Sequence, residues 1–525
     1  MKVSVLDLGF NSAKLVNYHV NFDGSYRAYQ QESMKVKLGL DLEQTGAISD
    51  SSLDRAIDAL RLFRDIIDFQ DIKHVVAVAT SAVREAANRT EFLEQVFQET
   101  GFSFRVLSGE EEALYSYLGA LHATCLPTGL FFDLGGGSLE LVYSENFKIK
   151  NSLSLPLGGL RLSQTFSDSD GTFSKKNYSK MEAHINEILP ERNELDISLN
   201  GVLVGVGGTL RAIARYNQEM LSYPLDKIHG YWMDYERVSL ISRIFRKMKI
   251  FEISMIDTIG NNRADTITAG CLIVKQLMEK LEFDAVTVSV HGLREGVLSD
   301  YLQSSKNDNS TFSSQILDQK NIENHAECCK PWIIPECTHS LINPLLSYGL
   351  LKNEEYEILT HAMKQTKSLP QLNNLNNLFS AIIDEDKAAL NHRQQLILAL
   401  SIIYAKKSKV ASWLFTKYSP IVQPQDKKPI QKIAALLSLA EILEQANIRA
   451  KFINYTEREF LLTLMPSKHI LPTRLIETHL KKLQDAFELT IRGQSISSTP
   501  STVPKLEVMV TSHEKDTINE SSQFN

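Results

Sequence analysis

Cysteine is scarce in this chain: five in 525 residues, an odd number, with no pair spaced C-x-x-C. This excludes a disulfide framework and a cysteine zinc site, and it suits a reducing, cytoplasmic location. Long apolar runs are also missing. Stretches such as Leu396 to Ala405 reach about half of the roughly 20 residues needed to cross a bilayer, so no membrane partner is expected. Asp7 interrupts the first apolar stretch and no apolar core with a cleavage site follows, so no signal peptide is expected either. No Gly-Lys dipeptide occurs anywhere, which excludes a P-loop. Glycine itself nearly vanishes late in the chain: of 25, only Gly349 and Gly493 lie beyond Gly296. Glycine serves tight turns and close approach to ligands. The first ~300 residues are therefore expected to form an α/β unit with functional loops, and the rest a helical unit.

What is present is ordinary for a globular protein of about three or four domains: 43% hydrophobic and 23% charged residues. The net charge of −7 is uneven. Residues 401–500 hold 15 Lys and Arg against 8 Asp and Glu, a balance of +7, so the remainder sums to −14. Such a basic region fits either a polyanionic ligand or a solvated lysine-rich helix face. Gln303 to Gln319 is rich in Ser, Asn, Asp and Gln and reads as a linker. From about Ser495 the chain is Ser/Thr-rich and polar, and a frayed tail is expected.

Strands are predicted at Val3 to Leu8, Leu15 to Val20 and His74 to Ala79, and helices at Leu53 to Phe69 and Ala82 to Thr100. Ile430 to Gln445 has helical periodicity. Phe460 to Met465 and Phe487 to Ile491 are predicted strands around a helix at Arg474 to Asp485.

An internal repeat carries the most information. Asp7-Leu8-Gly9-Phe10-Asn11-Ser12-Ala13-Lys14-Leu15-Val16 matches Asp133-Leu134-Gly135-Gly136-Gly137-Ser138-Leu139-Glu140-Leu141-Val142 at six of ten positions, 126 residues apart. Each segment links two apolar strands, so each predicts a hairpin with a polar, glycine-containing tip. Two such hairpins imply two similar lobes facing each other. Backbone N–H groups and Ser hydroxyls at the tips suit phosphate oxygens. The Asp before each tip suits a divalent cation, because Mg²⁺ prefers carboxylate oxygens. A third glycine loop, Gly205-Val206-Gly207-Gly208-Thr209, lies between a strand and a helix, where a helix N-terminus attracts anions. It does not fit the dinucleotide pattern G-x-G-x-x-G.

Glu110-Glu111-Glu112 opens a predicted helix after Ser108-Gly109. These acids suit the helix dipole, or one of them is a catalytic base. Arg84, in Thr80-Ser81-Ala82-Val83-Arg84, is either the partner of a surface acid or a phosphate fork.

Taken together, the chain resembles the exopolyphosphatase / guanosine pentaphosphate phosphohydrolase family, a branch of the actin-like, sugar-kinase and Hsp70-type ATPase fold, which is ribonuclease H-like. The matching segments are DLGFNSAKL at 7–15, ATSAVREAAN at 79–88, LSGEEEA at 107–113, DLGGGSLEL at 133–141, GVGGTLRA at 205–212 and HGLREGVL at 291–298. The resemblance implies an α/β fold with duplicated actin-like lobes, followed by a mainly helical, HD-like C-terminal domain. The expected boundaries are 1–124 for lobe I, 125–302 for lobe II, 303–319 for the linker, 320–455 for the helical domain, 456–494 for a small α+β piece and 495–525 for the tail.

The resemblance also implies site roles. Glu112 falls on the catalytic base. Asp133 and Glu140 fall on acids associated with Mg²⁺ or Mn²⁺. Gly9, Asn11, Ser12, Arg84, Gly135, Gly136, Gly137, Ser138, Gly207, Gly208 and Thr209 fall on phosphate-binding positions. Three residues depart from the family pattern: Phe10 stands where Ser is usual, Leu139 where Thr is common, and Lys14 where Arg is frequent. None of the 13 histidines precedes an aspartate, so a working HD metal site is not expected in the helical domain.

The implied activity is hydrolysis of the terminal phosphoanhydride of inorganic polyphosphate, with guanosine pentaphosphate as the alternative substrate and a non-catalytic sensing regulator as a further alternative. A homodimer is implied by the resemblance. Neither nucleic acid nor a membrane is expected as a partner.

Overall fold

The apolar runs on either side of Gly9 become β1 (Lys2–Leu8) and β2 (Ser12–Val20), paired antiparallel with Asp7 opposite Lys14. β3 (Tyr26–Lys35) adds to β2, while β4 (His74–Ala79) and β5 (Arg105–Val106) extend the other side in parallel. The order is β3-β2-β1-β4-β5. The second sheet repeats this plan. β6 (Gly129–Leu134), β7 (Leu139–Glu145) and β8 (Lys148–Leu155) form the antiparallel meander. β9 (Val202–Val206) and β11 (Ala285–Val288) follow in parallel, with β10 (Trp232–Asp234) on the edge, in the order β10-β11-β9-β6-β7-β8. The register repeats as well: Asp133 lies opposite Glu140, as Asp7 lies opposite Lys14.

This is a computed structural model. It describes residues 1–306 and 336–512, apart from 23, 41, 169–170, 198–200, 261–262, 369–373, 386–389, 446–447, 455–458, 467–472 and 498–504. By contacts the chain divides into two units, Met1–Lys330 and Pro331–Asn525. Most of the predicted linker lies outside the described residues.

In the first lobe the helices are α1 (Leu42–Thr45), α2 (Asp50–Phe69), α3 (Ser81–Glu85), α4 (Arg89–Thr100) and α5 (Gly109–Thr124). The second lobe has α6 (Gly159–Phe166), α7 (Lys175–Ile188), α8 (Gly208–Met220), α9 (Tyr235–Lys247), α10 (Ile250–Ser254), α11 (Ile267–Lys280) and α12 (Leu293–Lys306). On α2, Ala56, Ala59, Leu60, Phe63 and Ile67 are buried at helical spacing. The single helix expected over 82–100 is two. Ala86 is extended, and the Asn88 side chain bonds both the N–H and the C=O of Ile48, each at 2.9 Å. This local pairing competes with a continuous helix.

Each lobe has its own apolar core, and a third core joins them. The shared core draws on both sheets and on α5 and α12, the helices that follow the last parallel strand of each lobe. These two helices cross at glycines. A Cβ on Gly119 would overlap the carbonyl of Gly292, and one on Gly296 would overlap that of Tyr115. Tyr18 of β2 donates to Glu295 of α12 at 2.6 Å, which ties the first sheet to that crossing. The loop entering α12 is thereby held beside the ends of β1, β6 and β9.

The second unit begins with α13 (Glu336–Ser347), α14 (Asn353–Ser368), α15 (Leu375–Ile383), α16 (His392–Lys406), α17 (Ser408–Lys417) and α18 (Lys427–Gln445). A four-stranded sheet follows, built from β12 (Ile448–Asn454), β13 (Glu459–Pro466), β14 (Leu489–Ser497) and β15 (Lys505–Ser512), with α19 (Thr473–Phe487) between β13 and β14. Its order is β12-β13-β15-β14. The sheet starts inside the segment expected to be helical and ends inside the segment expected to be a loose tail. Leu506, Val508 and Val510 recur at every second position, with Lys505, Glu507 and Thr511 around them and Met509 the one apolar exception, and this is the strand signal that the polar composition of the tail concealed. Among the described residues no helix is long and apolar enough to cross a membrane.

Candidate functional site

The two hairpin tips, the β9–α8 turn and the loop entering α12 enclose a cavity of about 90 Å³. Its walls include Gly9, Asn11, Ser12, Gly135, Gly136, Ser138, Gly207 and Gly208. The tips adopt the same turn, as the repeat requires: Gly9 N–H donates to the Ser12 carbonyl at 3.1 Å, and Gly135 N–H to the Ser138 carbonyl at 3.0 Å. The first amide of each tip thus closes its own hairpin. Gly207 has φ 107, and a side chain there would crowd the Leu134 carbonyl and Asp133. Only glycine allows that backbone shape at this spacing.

Four carboxylates reach the cavity: Asp7, Glu112, Asp133 and Glu140. The three consecutive glutamates of α5 divide their work. Glu110 is exposed. Glu111 closes the capping box with Ser108 and pairs with Arg105. Glu112, one residue further round, is 8% exposed and faces the cleft. Burial pushes its carboxyl up to about 7, against the pull of Arg84 and with the repulsion of Asp133 and Asp7 behind it.

Asp133 accepts a 2.6 Å hydrogen bond from Ser116, and Glu140 accepts one of 3.0 Å from Ser154. Burial raises both carboxyls, and Glu140 is pushed further by Glu112 and Asp133. Residues directly opposite in an antiparallel pair point to the same face, and like charges there repel. In the first hairpin the equivalent pair is satisfied within the chain: Asp7 meets the Lys14 ammonium at 3.5 Å. In the second hairpin glutamate replaces lysine, so two acids face each other. The donor set is all oxygen, as Mg²⁺ or Mn²⁺ prefers. Among the described residues no three His, Cys, Asp or Glu side chains form a ready cage. That suits Mg²⁺, which usually takes one or two carboxylates and completes its shell with water and substrate phosphate. Asp133 and Glu140 therefore fit a divalent cation.

Three of the expected phosphate-binding residues do not line the cavity: Arg84, Gly137 and Thr209. Arg84 donates to Glu112 at 2.8 Å and to the Leu107 carbonyl at 3.0 Å. Arg84 is thus a clamp on the candidate base, and the acid it meets is buried rather than on the surface. Gly137 instead makes room for the Phe10 ring. The Thr209 methyl packs over Gly270 of α11, because the residue sits on the inner side of α8.

Two cations in the wall, Arg211 and Arg294, are ones that sequence reasoning left out, and Lys14 stands beside them. Arg211 lies one turn into α8, and Arg294 opens α12. Arg294 is 3.8 Å from Asp7. Burial lowers Arg211 to about 10, and Arg294 and Arg263 add repulsion. An anion in the cavity would relieve this crowding. Thr80 and Ser81 add buried hydroxyl side chains.

In the second unit, Lys406, Lys407, Lys409 and Lys482 line a separate cavity of about 570 Å³ at α16, α17, α18 and α19. Lys428, by contrast, pairs with Glu488 at 2.7 Å, and Lys427 lies over the Phe415 ring.

A model of the Ppx/GppA phosphatase family matches residues 22–305. A bifunctional 3-dehydroquinate synthase/phosphatase of Fusobacterium nucleatum is 28% identical over 296 residues, 54% of this chain and 44% of the relative. A guanosine-5'-triphosphate,3'-diphosphate pyrophosphatase of Vibrio vulnificus is 29% identical over 311 residues, 58% of this chain and 60% of the relative. The chain thus spans about half the length of these curated relatives. Among solved structures, an exopolyphosphatase from Cytophaga hutchinsonii has 25% identity and a TM-score of 0.53, covering 58% of this chain and 98% of that one. The duplicated, actin-like lobes are the part that these proteins share with it. The family match takes in all of the second lobe and all of the first beyond its opening hairpin, and the chain belongs to the Ppx/GppA phosphatase family.

Proposed function

We propose that the chain hydrolyses the terminal phosphoanhydride of inorganic polyphosphate and releases orthophosphate. One observation carries the reading. Glu112 is buried in the same small cavity as the opposed pair Asp133 and Glu140, between two glycine-containing tips.

Phosphoryl transfer to water needs positioning and charge neutralisation more than covalent chemistry. Glu112, with a carboxyl near neutrality, orients the attacking water and takes its proton as the water oxygen bonds to the terminal phosphorus. The anhydride P–O bond breaks, and its electron pair leaves with the shortened chain. Arg84 acts through Glu112 by fixing one carboxylate oxygen. Arg211, Arg294 and Lys14 oppose the negative charge of the phosphates. Asp133 and Glu140 would hold Mg²⁺ or Mn²⁺, which when bound supplies further charge neutralisation.

Guanosine pentaphosphate is the second reading. It is favoured by the relatives named as guanosine-5'-triphosphate,3'-diphosphate pyrophosphatases. The lysine-lined cavity of the second unit favours polyphosphate, since a long polyanion has charge to spare for a second site. Orthophosphate release measured side by side on both substrates decides between them. Release from neither would return the chain to the non-catalytic, sensing alternative.

Glu112→Gln should lower turnover by about 10²–10⁴ with binding largely kept. Near-wild-type turnover would move the base elsewhere. The pH–rate profile should rise with pH as Glu112 loses its proton. Arg84 favours the charged carboxylate, so Arg84→Gln should displace that limb to higher pH. An unmoved limb would separate Arg84 from the base.

Replacing Lys406, Lys407, Lys409, Lys427 and Lys428 with Gln should raise KM for long chains and flatten its salt dependence, while short-chain hydrolysis survives. Within that set, Lys406, Lys407 and Lys409 should carry the effect, because they line the cavity and the other two do not. Identical chain-length and salt dependence in variant and wild type would reduce the lysines to a solvated face.

A further inference from the structure

Phe10 occupies an unusual place for a large apolar residue. It sits at the tip of the first hairpin, lines the cavity, and is nevertheless 3% exposed. Its ring fills a slot made by two glycines. A Cβ on Gly39 of the first lobe, or on Gly137 of the second, would overlap the ring. The Arg161 guanidinium of α6 lies over the ring, 5.1 Å from its centre.

Arg161 belongs to the second lobe, is itself buried, and divides its donors between its own lobe and the first. Its Nε donates to the Gly137 carbonyl at 2.7 Å, and its two terminal nitrogens reach Glu43 and Glu85 of the first lobe. A second bridge lies close by in sequence. Lys35 and Lys37 of the first lobe meet Asp265 of the second at 3.2 and 2.8 Å. The segment carrying these lysines is bonded to the tip, since the N–H groups of Val36 and Lys37 donate to the Asn11 carbonyl and that of Gly39 to the Phe10 carbonyl. One continuous seam therefore joins the two lobes along the tips, with Phe10 at its centre.

We infer that Phe10 and Arg161 form a latch that holds the two phosphate loops at working separation before substrate arrives, making Phe10 a positioning residue. The inference rests on the proposed hydrolase reading for its kinetic consequence only. A serine at position 10 would offer one more hydroxyl but leave the glycine slot empty and the guanidinium without its ring. The lobes would then have to be gathered by the substrate, and that cost falls on binding.

The test compares wild type with Phe10→Ser and with the double variant Glu43→Gln, Glu85→Gln. The second removes only partly exposed carboxylates, which makes it a safeguard should the first misfold. Hydrogen exchange of the ligand-free proteins should become faster at both tips, residues 9–14 and 135–140, in either variant. Saturating inorganic tripolyphosphate should restore protection. KM for tripolyphosphate should rise about tenfold in Phe10→Ser, with kcat changed less than about threefold. Unchanged tip exchange in both variants, or a fall confined to kcat, would overturn the latch. If wild type does not cleave tripolyphosphate, the polyphosphate reading fails, and the exchange data alone still decide the latch.

Discussion

Two acids face each other across β6 and β7 with no lysine or arginine ion-paired to Glu140 among the described residues, and much of the cleft follows from that arrangement. The first hairpin solves the same geometry inside the chain, with Lys14 opposite Asp7. The second places Glu140 where a lysine would be and leaves Asp133 and Glu140 in mutual repulsion under burial. Repulsion of this kind is costly in a low dielectric unless a cation relieves it. The duplication thus yields one lobe with its own positive charge and one lobe that would borrow it. That asymmetry gives two similar hairpins different work at one site.

The surrounding fold serves the close approach of these charged parts. The crossing of α5 and α12 depends on Gly119 and Gly296, and it sets Glu112 and Arg294 at the same cleft from opposite lobes. The capping box of α5 uses Ser108 and Glu111 and leaves Glu112 on the buried face. Acids and bases occur together around the cavity, so Glu112, Asp133 and Glu140 feel burial first and their neighbours second. Such perturbed groups gathered in one cleft are typical of sites that move protons.

Much of this was legible in the residues. The repeat at 7–16 and 133–142 gave both hairpins, their tips and the pairing of two lobes, because strand alternation and turn chemistry are local. Glu112 stood out from its two neighbours only through the resemblance. Helix geometry then explains why it alone faces inward. Arg211 and Arg294 were hidden because nothing in the sequence tells which side of α8 or α12 meets the cleft. The same reason hid the placement of Thr209, whose methyl packs over Gly270 of α11. Arg84 was seen as a candidate, but its partner could not be, since Glu112 lies 28 residues away. The small C-terminal sheet was half visible. Its last strand in the chain, Lys505–Ser512, was masked by the polar composition of the segment around it.

The central claim is that the opposed carboxylates of the second hairpin make the cation site. Manganese binding to the purified protein, followed by electron paramagnetic resonance or calorimetry, tests it without reference to turnover. The account predicts one saturable Mn²⁺ site in wild type, competed by Mg²⁺ and lost in the Asp133→Asn, Glu140→Gln double variant. Mn²⁺ binding of equal strength and number in wild type and variant would contradict it.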